Sequence, residues 1–169
     1  TCKYIIKQYR QSNRFIASWW NHLNSVLFNI LANRPMDSID FADVLSVSSF
    51  TGIQLPNGLF LNYPDLRKET DGQFSYMTRY GRNRIYGGKV AENLCQAVAR
   101  CIIGEQMLEI AKEFRVVLTV HDAVACVVPE ALAEDAKAYI ETCMSTSPKW
   151  AVGLPLSCES GMATTYGDC

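Results

Sequence analysis

At 169 residues, 49% hydrophobic and 20% charged, the chain has the size and composition of a single globular unit with enough apolar side chains for a buried core. Mean hydropathy is -0.01. No apolar run approaches the roughly 18 residues of a spanning helix, and the opening TCKYIIKQYR lacks an apolar signal core. These features point to a soluble, cytoplasmic protein with no membrane partner. The formal net charge of -1 hides an asymmetry: residues 1–100 carry 12 Lys and Arg against 7 Asp and Glu, and residues 101–169 carry 4 against 10.

Residues 3–31 predict one long helix, because Ile5, Ile6, Tyr9, Ile16, Trp19, Trp20, Leu23, Val26, Leu27 and Ile30 fall on one broad face and Pro35 lies beyond its end. From Phe50 the pattern changes to short strands, with Asn57-Gly58 as a hairpin turn between IQLP and LFLNY. A second hairpin, or an irregular turn, is expected at Gly81-Arg82-Asn83. Between Gly72 and Ala91 the cations Arg79, Arg82, Arg84 and Lys89 occur without an acidic residue and with Tyr76, Tyr80 and Tyr86 interleaved. That mixture suits phosphate contacts beside stacking rings, and it equally suits a solvated, solubilising hairpin.

Residues 89–114 predict a second helix, with Val90, Leu94, Ala97, Val98, Cys101, Ile102, Met107, Leu108 and Ile110 as its buried face and Glu92, Asn93, Gln96 and Arg100 as a polar strip. Then VVLTVHDAVACVVPE places two β-branched runs, 116–120 and 124–128, around His121-Asp122-Ala123, which reads as an antiparallel hairpin lifting a carboxylate at its tip. An Asp in a turn more often serves local backbone hydrogen bonding, and a lone His is more often a satisfied polar residue. A helix with Leu132, Ala136, Tyr139, Ile140, Cys143 and Met144 on one side follows, and LPLSCESG closes as a strand. The order helix, hairpin, helix, strand defines an α+β half-sheet backed by helices. Seven cysteines, with no C-x-x-C pair and no His at ligand spacing, read as reduced thiols, mostly in the core, and indicate neither a disulfide framework nor a zinc site.

In this order ENLCQAVAR, VLTVHDAVACVVPE and LPLSCESG resemble the C-terminal part of family A DNA polymerases. LPNGLFLNYPDLR, YGGKVAENLCQAVAR and the HDA turn look most like the bacteriophage branch. KYIIKQYRQSN is similar to a helix of the fingers, so the resemblance spans nearly the whole chain. It implies distal fingers over residues 1–48 and a palm segment over 49–169 with a motif C hairpin at about 116–128. It further implies that Asp122 is one of two aspartates holding two Mg2+ ions, that His121 lies by the primer terminus, and that Gln96 contacts the primer-template minor groove. Glu92 stands where bacterial members carry Asn, a role that Asn93 could take. Ala123 replaces an acidic residue of the family pattern. The segments that would carry the other metal aspartate and the nucleotide-binding Arg, Lys and Tyr have no counterpart here, so a fragment or one piece of a split polymerase is expected. Its partners would be primer-template DNA, dNTP and the missing N-terminal portion, in the host cytoplasm if the protein is viral. The chemistry fits: two ions stabilise the entering and leaving oxygens of nucleotidyl transfer, and Mg2+ usually takes one or two protein carboxylates. The alternative is a catalytically inert nucleic-acid-binding module of the same shape.

Overall fold

The computed structural model describes residues 2–39, 43–48 and 52–169. The expected onset of strand at Phe50 and the residue that opens the 49–169 segment lie outside these. The described residues form an α+β fold of four helices and three small antiparallel sheets. They divide into two compact units, Thr1–Val98 and Ala99–Cys169.

In the first unit, α1 (Cys2–Ser12) and α2 (Arg14–Leu31) replace the single long helix expected. Asn13 breaks the run. Its backbone is non-helical (φ -117°, ψ 59°), and both its backbone N–H and its side-chain amide donate to the Tyr9 carbonyl, at 2.9 and 3.0 Å. Side chains that can bond nearby backbone in this way compete with a continuous helix. The packing also differs on the two sides of the break. α1 buries none of its residues, whereas α2 buries Leu23, Val26 and Leu27, the i, i+3, i+4 set of one face.

A first sheet orders β1 (Ser46–Ser48), β2 (Gly52–Gln54) and β3 (Phe60–Leu61) antiparallel, with Val47 and Ile53 buried. The Asn57-Gly58 turn expected there is present. Gly58 has φ +81°, and Asn57 Oδ1 accepts the Leu59 N–H at 3.1 Å. A second sheet joins β4 (Arg67–Lys68), β5 (Phe74–Thr78) and β6 (Gly81–Ile85). Its hairpin turns at Arg79-Tyr80, not at Gly81-Arg82-Asn83. The Thr78 hydroxyl donates to the Gly81 carbonyl and accepts from Tyr80 N–H and the Asn83 amide, which ties the turn two residues earlier.

Helix α3 (Gly87–Ile110) begins at the glycine pair and runs continuously across the boundary between the units. Val90, Leu94, Cys101, Ile102 and Ile110 are buried as expected, but Leu108 is 71% exposed. Gln106, 5% exposed, takes an interior position instead and donates to the Met144 and Thr146 carbonyls at 2.7 and 3.4 Å. It thereby satisfies carbonyls that the end of α4 (Ala133–Ser145) leaves free.

In the second unit, β7 (Val116–Val120) and β8 (Ala123–Cys126) pair antiparallel, with a bulge between Val116 and Leu118. The expected closing strand is absent. Residues 154–161 join no strand among the described residues, Pro155 offers no ladder donor, and Ser160 is bonded to the Glu141 carboxylate. None of the seven cysteines is in a disulfide, but only Cys101 and Cys143 are buried, so they are not mostly core residues. No helix among the described residues is long and apolar enough to cross a membrane.

Candidate active-site hairpin and nucleic-acid-binding residues

The β7–β8 hairpin turns through two residues. Val120 pairs with Ala123, which leaves His121 and Asp122 at the tip and places Ala123 in the strand. His121 has φ +54°, a left-handed conformation in which His is enriched among residues other than glycine. Both tip side chains are exposed.

Turn carboxylates and amides elsewhere show what a structural role requires. Asp71 Oδ1 accepts the Gln73 N–H at 3.0 Å, as Asn57 does for Leu59. Asp122 accepts no such bond and has no ion-pair partner among the described residues, so its oxygens are free for an outside ligand. A hard cation suits them, since Mg2+ prefers carboxylate and water oxygen. Among the described residues there is no group of three or more His, Cys, Asp or Glu able to hold a metal. Asp122 therefore fits Mg2+ as one contributed carboxylate, not as a complete site.

The polar strip of α3 is not uniform. Glu92 accepts both contacts of Lys89, at 2.9 and 2.8 Å, and this pairing raises the Lys89 pKa above its ordinary value. Asn93 is half-buried and donates its amide to the Tyr63 phenol oxygen at 3.3 Å. Gln96 is exposed and makes no side-chain hydrogen bond among the described residues, so its donors are available to a minor-groove acceptor.

Tyr63, the acceptor of the Asn93 amide, is only 6% exposed. Burial is the main cause that pushes its pKa up to about 12; the Asn93 amide lowers it and Tyr76 raises it. The neutral phenol is the folded form, whereas an unfolded tyrosine ionises near 10. Its contribution to stability is whole below about pH 10 and is lost as pH rises toward about 12. Alkaline unfolding followed by circular dichroism should show this loss, and Tyr63→Phe should flatten it. An unchanged alkaline slope would mean that Tyr63 ionises as freely in the folded chain.

The basic hairpin is largely neutralised by carboxylates just outside the window that looked free of acid. Arg82 pairs with Asp65 and donates to the Ser75 hydroxyl at 3.0 Å, and its side chain is only 18% exposed. Arg84 Nη1 lies 2.8 Å from both Asp71 oxygens, and that hydrogen bond is the first cause holding the Asp71 carboxyl below its usual range. Arg79 has no carboxylate among the described residues and lies 4.5 Å from the Tyr80 ring centroid.

Further cations lie on α1 and at the start of α2. Lys3, Lys7, Arg10 and Arg14 line one surface trough, and none has a carboxylate partner among the described residues. Their i, i+4, i+7, i+11 spacing is legible in the sequence alongside the apolar periodicity of the same segment.

These features define an α+β chain with a free carboxylate at a hairpin tip and unpaired cations on a separate helix. Among known proteins it is similar to the DNA polymerase of Bacillus phage SP02, at 28% identity over 174 aligned residues. The alignment covers 96% of this chain and 26% of the phage protein, so the chain spans about a quarter of that relative's length. No protein-family model and no solved structure matches it.

Proposed function

We propose that the chain is part of a template-directed DNA polymerase of family A, bacteriophage type, that transfers a nucleotide from dNTP to a primer 3′-hydroxyl. Residues 1–48 would belong to the fingers and 49–169 to the palm, working with a further portion that supplies the second metal aspartate and the nucleotide-binding helix. The observation that carries this proposal is Asp122: a carboxylate with no partner in its own turn, on a hairpin inside a chain similar over 96% of its length to a phage polymerase. Bound Mg2+ would supply electrostatic stabilisation of the oxygens that gain charge during transfer.

Within this chain, Asp122 offers an exposed oxygen ligand on a two-residue turn, which limits its movement relative to the strands. His121, beside it, would position the primer's terminal sugar and phosphate. Gln96 would donate to minor-groove acceptors common to all base pairs, favouring pair geometry over sequence. Asn93, already donating to Tyr63, would contribute less, and Glu92 would act through Lys89. In the hairpin, Arg79 is the cation ready for a phosphate, while Arg82, Arg84 and Lys89 must first exchange a carboxylate for it.

Primer extension tests the proposal. An enzyme containing this segment and its companion portion should extend a primer only with template, dNTP and Mg2+, and chelation by EDTA should stop it. Extension that survives EDTA would overturn the metal-dependent mechanism. For the isolated chain an inert binding module is the competing function, favoured by the lack, among the described residues, of any group of three or more His, Cys, Asp or Glu able to hold a metal.

A further inference from the structure

The first 36 residues contain no Asp or Glu, and Asp37 is the first acidic residue. Four of the cations in that stretch, Lys3, Lys7, Arg10 and Arg14, line a single trough of about 420 Å³ on α1 and the start of α2. From Lys3 to Arg10 the line runs about 10 Å at the rise of an α-helix. This contrasts with the 79–89 hairpin, where three of four cations are paired.

A groove of about 480 Å³ adjoins the trough, and Ile6 and Arg10 belong to both. Tyr9, Trp20 and Tyr86 supply its aromatic surface, and Asn21 and Asn24 add amide groups. Tyr9 and Trp20 stack with centroids 6.0 Å apart and planes 16° apart, so the two rings stand nearly parallel in this groove. Its volume lies within the roughly 300–1,000 Å³ of small-ligand sites. A line of unpaired cations beside an aromatic groove is the arrangement that single-stranded nucleic acid uses, with phosphates on the cations and bases on the rings.

We propose that α1 and the adjoining groove bind single-stranded nucleic acid, with phosphates along Lys3, Lys7, Arg10 and Arg14 and one unpaired base against Tyr9 and Trp20. The choice of occupant rests on the polymerase proposal; the surface itself does not. A duplex presents no free base face to the groove. An anionic membrane would match the charge and the exposed Tyr4 and Ile5, but it has no use for a concave site lined by asparagines.

The test is anisotropy of a fluorescein-labelled oligothymidylate with the whole chain over a series of salt concentrations. Four phosphate contacts on a single strand carry a log–log salt slope of about -3, and replacing the four cations with Ala should remove that amount. Tyr9→Ala should weaken binding roughly 5- to 150-fold, the range for one stacked base, while Tyr9→Phe should keep it. With an abasic oligonucleotide the Tyr9→Ala loss should vanish. α1 buries no residue and Arg14 at the start of α2 is exposed, so these variants should keep the wild-type circular dichroism. An unchanged slope in the fourfold variant overturns the proposal. So does a fourfold variant that loses binding to phosphatidylserine-containing vesicles while it keeps the oligonucleotide. Primer extension reads catalysis through Asp122 and oligothymidylate binding reads α1, so the two proposals fail separately.

Discussion

Asp122→Asn should lower primer extension about 100-fold to 1,000-fold in an enzyme containing this segment, a loss of roughly 2.7 to 4 kcal/mol in transition-state stabilisation. The substitution keeps the size of the side chain and removes the charge that would hold Mg2+ where negative charge grows. Folding should be almost untouched. Asp122 is exposed and has no hydrogen-bond or ion-pair partner among the described residues, and surface changes of this kind usually stay within about 0.5 kcal/mol. Catalysis and stability therefore separate at this residue, as they would not at a carboxylate that also held its turn. His121→Ala should cost less than Asp122→Asn, because His121 would place the primer end without holding the ion. It also occupies φ +54°, so some of its loss would come from the turn itself. Extension rates should fall in the order wild type, His121→Ala, Asp122→Asn. A folded Asp122→Asn enzyme that extends primers at close to the wild-type rate would remove Asp122 from the mechanism and leave the inert binding module.

The hairpin was legible because its signal is local: two β-branched runs and a short polar break determine strand, turn and strand with little outside help. The break between α1 and α2 was not, because apolar periodicity passes smoothly over Asn13 while its amide, bonded to the Tyr9 carbonyl, ends the first helix. The closing strand failed for a different reason. LPLSCESG alternates as a strand does, but strand formation needs a partner ladder, and composition cannot report whether one is there. The charge of the basic hairpin could not be read from residues 72–91 alone. Asp65, Asp71 and Glu92 lie just outside Gly72–Ala91 in sequence, and the fold brings them onto Arg82, Arg84 and Lys89. For the candidate site, residue type and approximate place could be read in advance, while which polar groups were already spoken for, as Asn93 is by Tyr63, depended on tertiary contact.

Gly87→Ala should destabilise the first unit by at least about 3 kcal/mol, at or beyond the upper end of ordinary overpacking. A Cβ on Gly87 would overlap the Trp20 carbonyl oxygen and lie 2.7 Å from its carbon, both backbone atoms of α2 that no rotamer change can move. The conflict is steric and owes nothing to φ. The same close approach lets the Gly87 N–H donate to Asn24 Oδ1 at 2.7 Å, which satisfies one of the free donors at the start of α3. Relief would require α3 to move away from α2, breaking that bond and separating Tyr86 and Gly88 from Trp20 and Asn24, with which they line the groove. Oligothymidylate binding should then weaken although every α1 cation is still present. Gly104 in the same helix provides the opposite case. Nothing lies within 4 Å of its added Cβ, so Gly104→Ala should stabilise by about 0.5 to 1 kcal/mol through helix propensity alone. Urea unfolding of the two variants should thus shift in opposite directions. If Gly87→Ala unfolded within about 0.5 kcal/mol of wild type, the threshold for an ordinary surface change, α2 and α3 could not meet as closely as the groove requires.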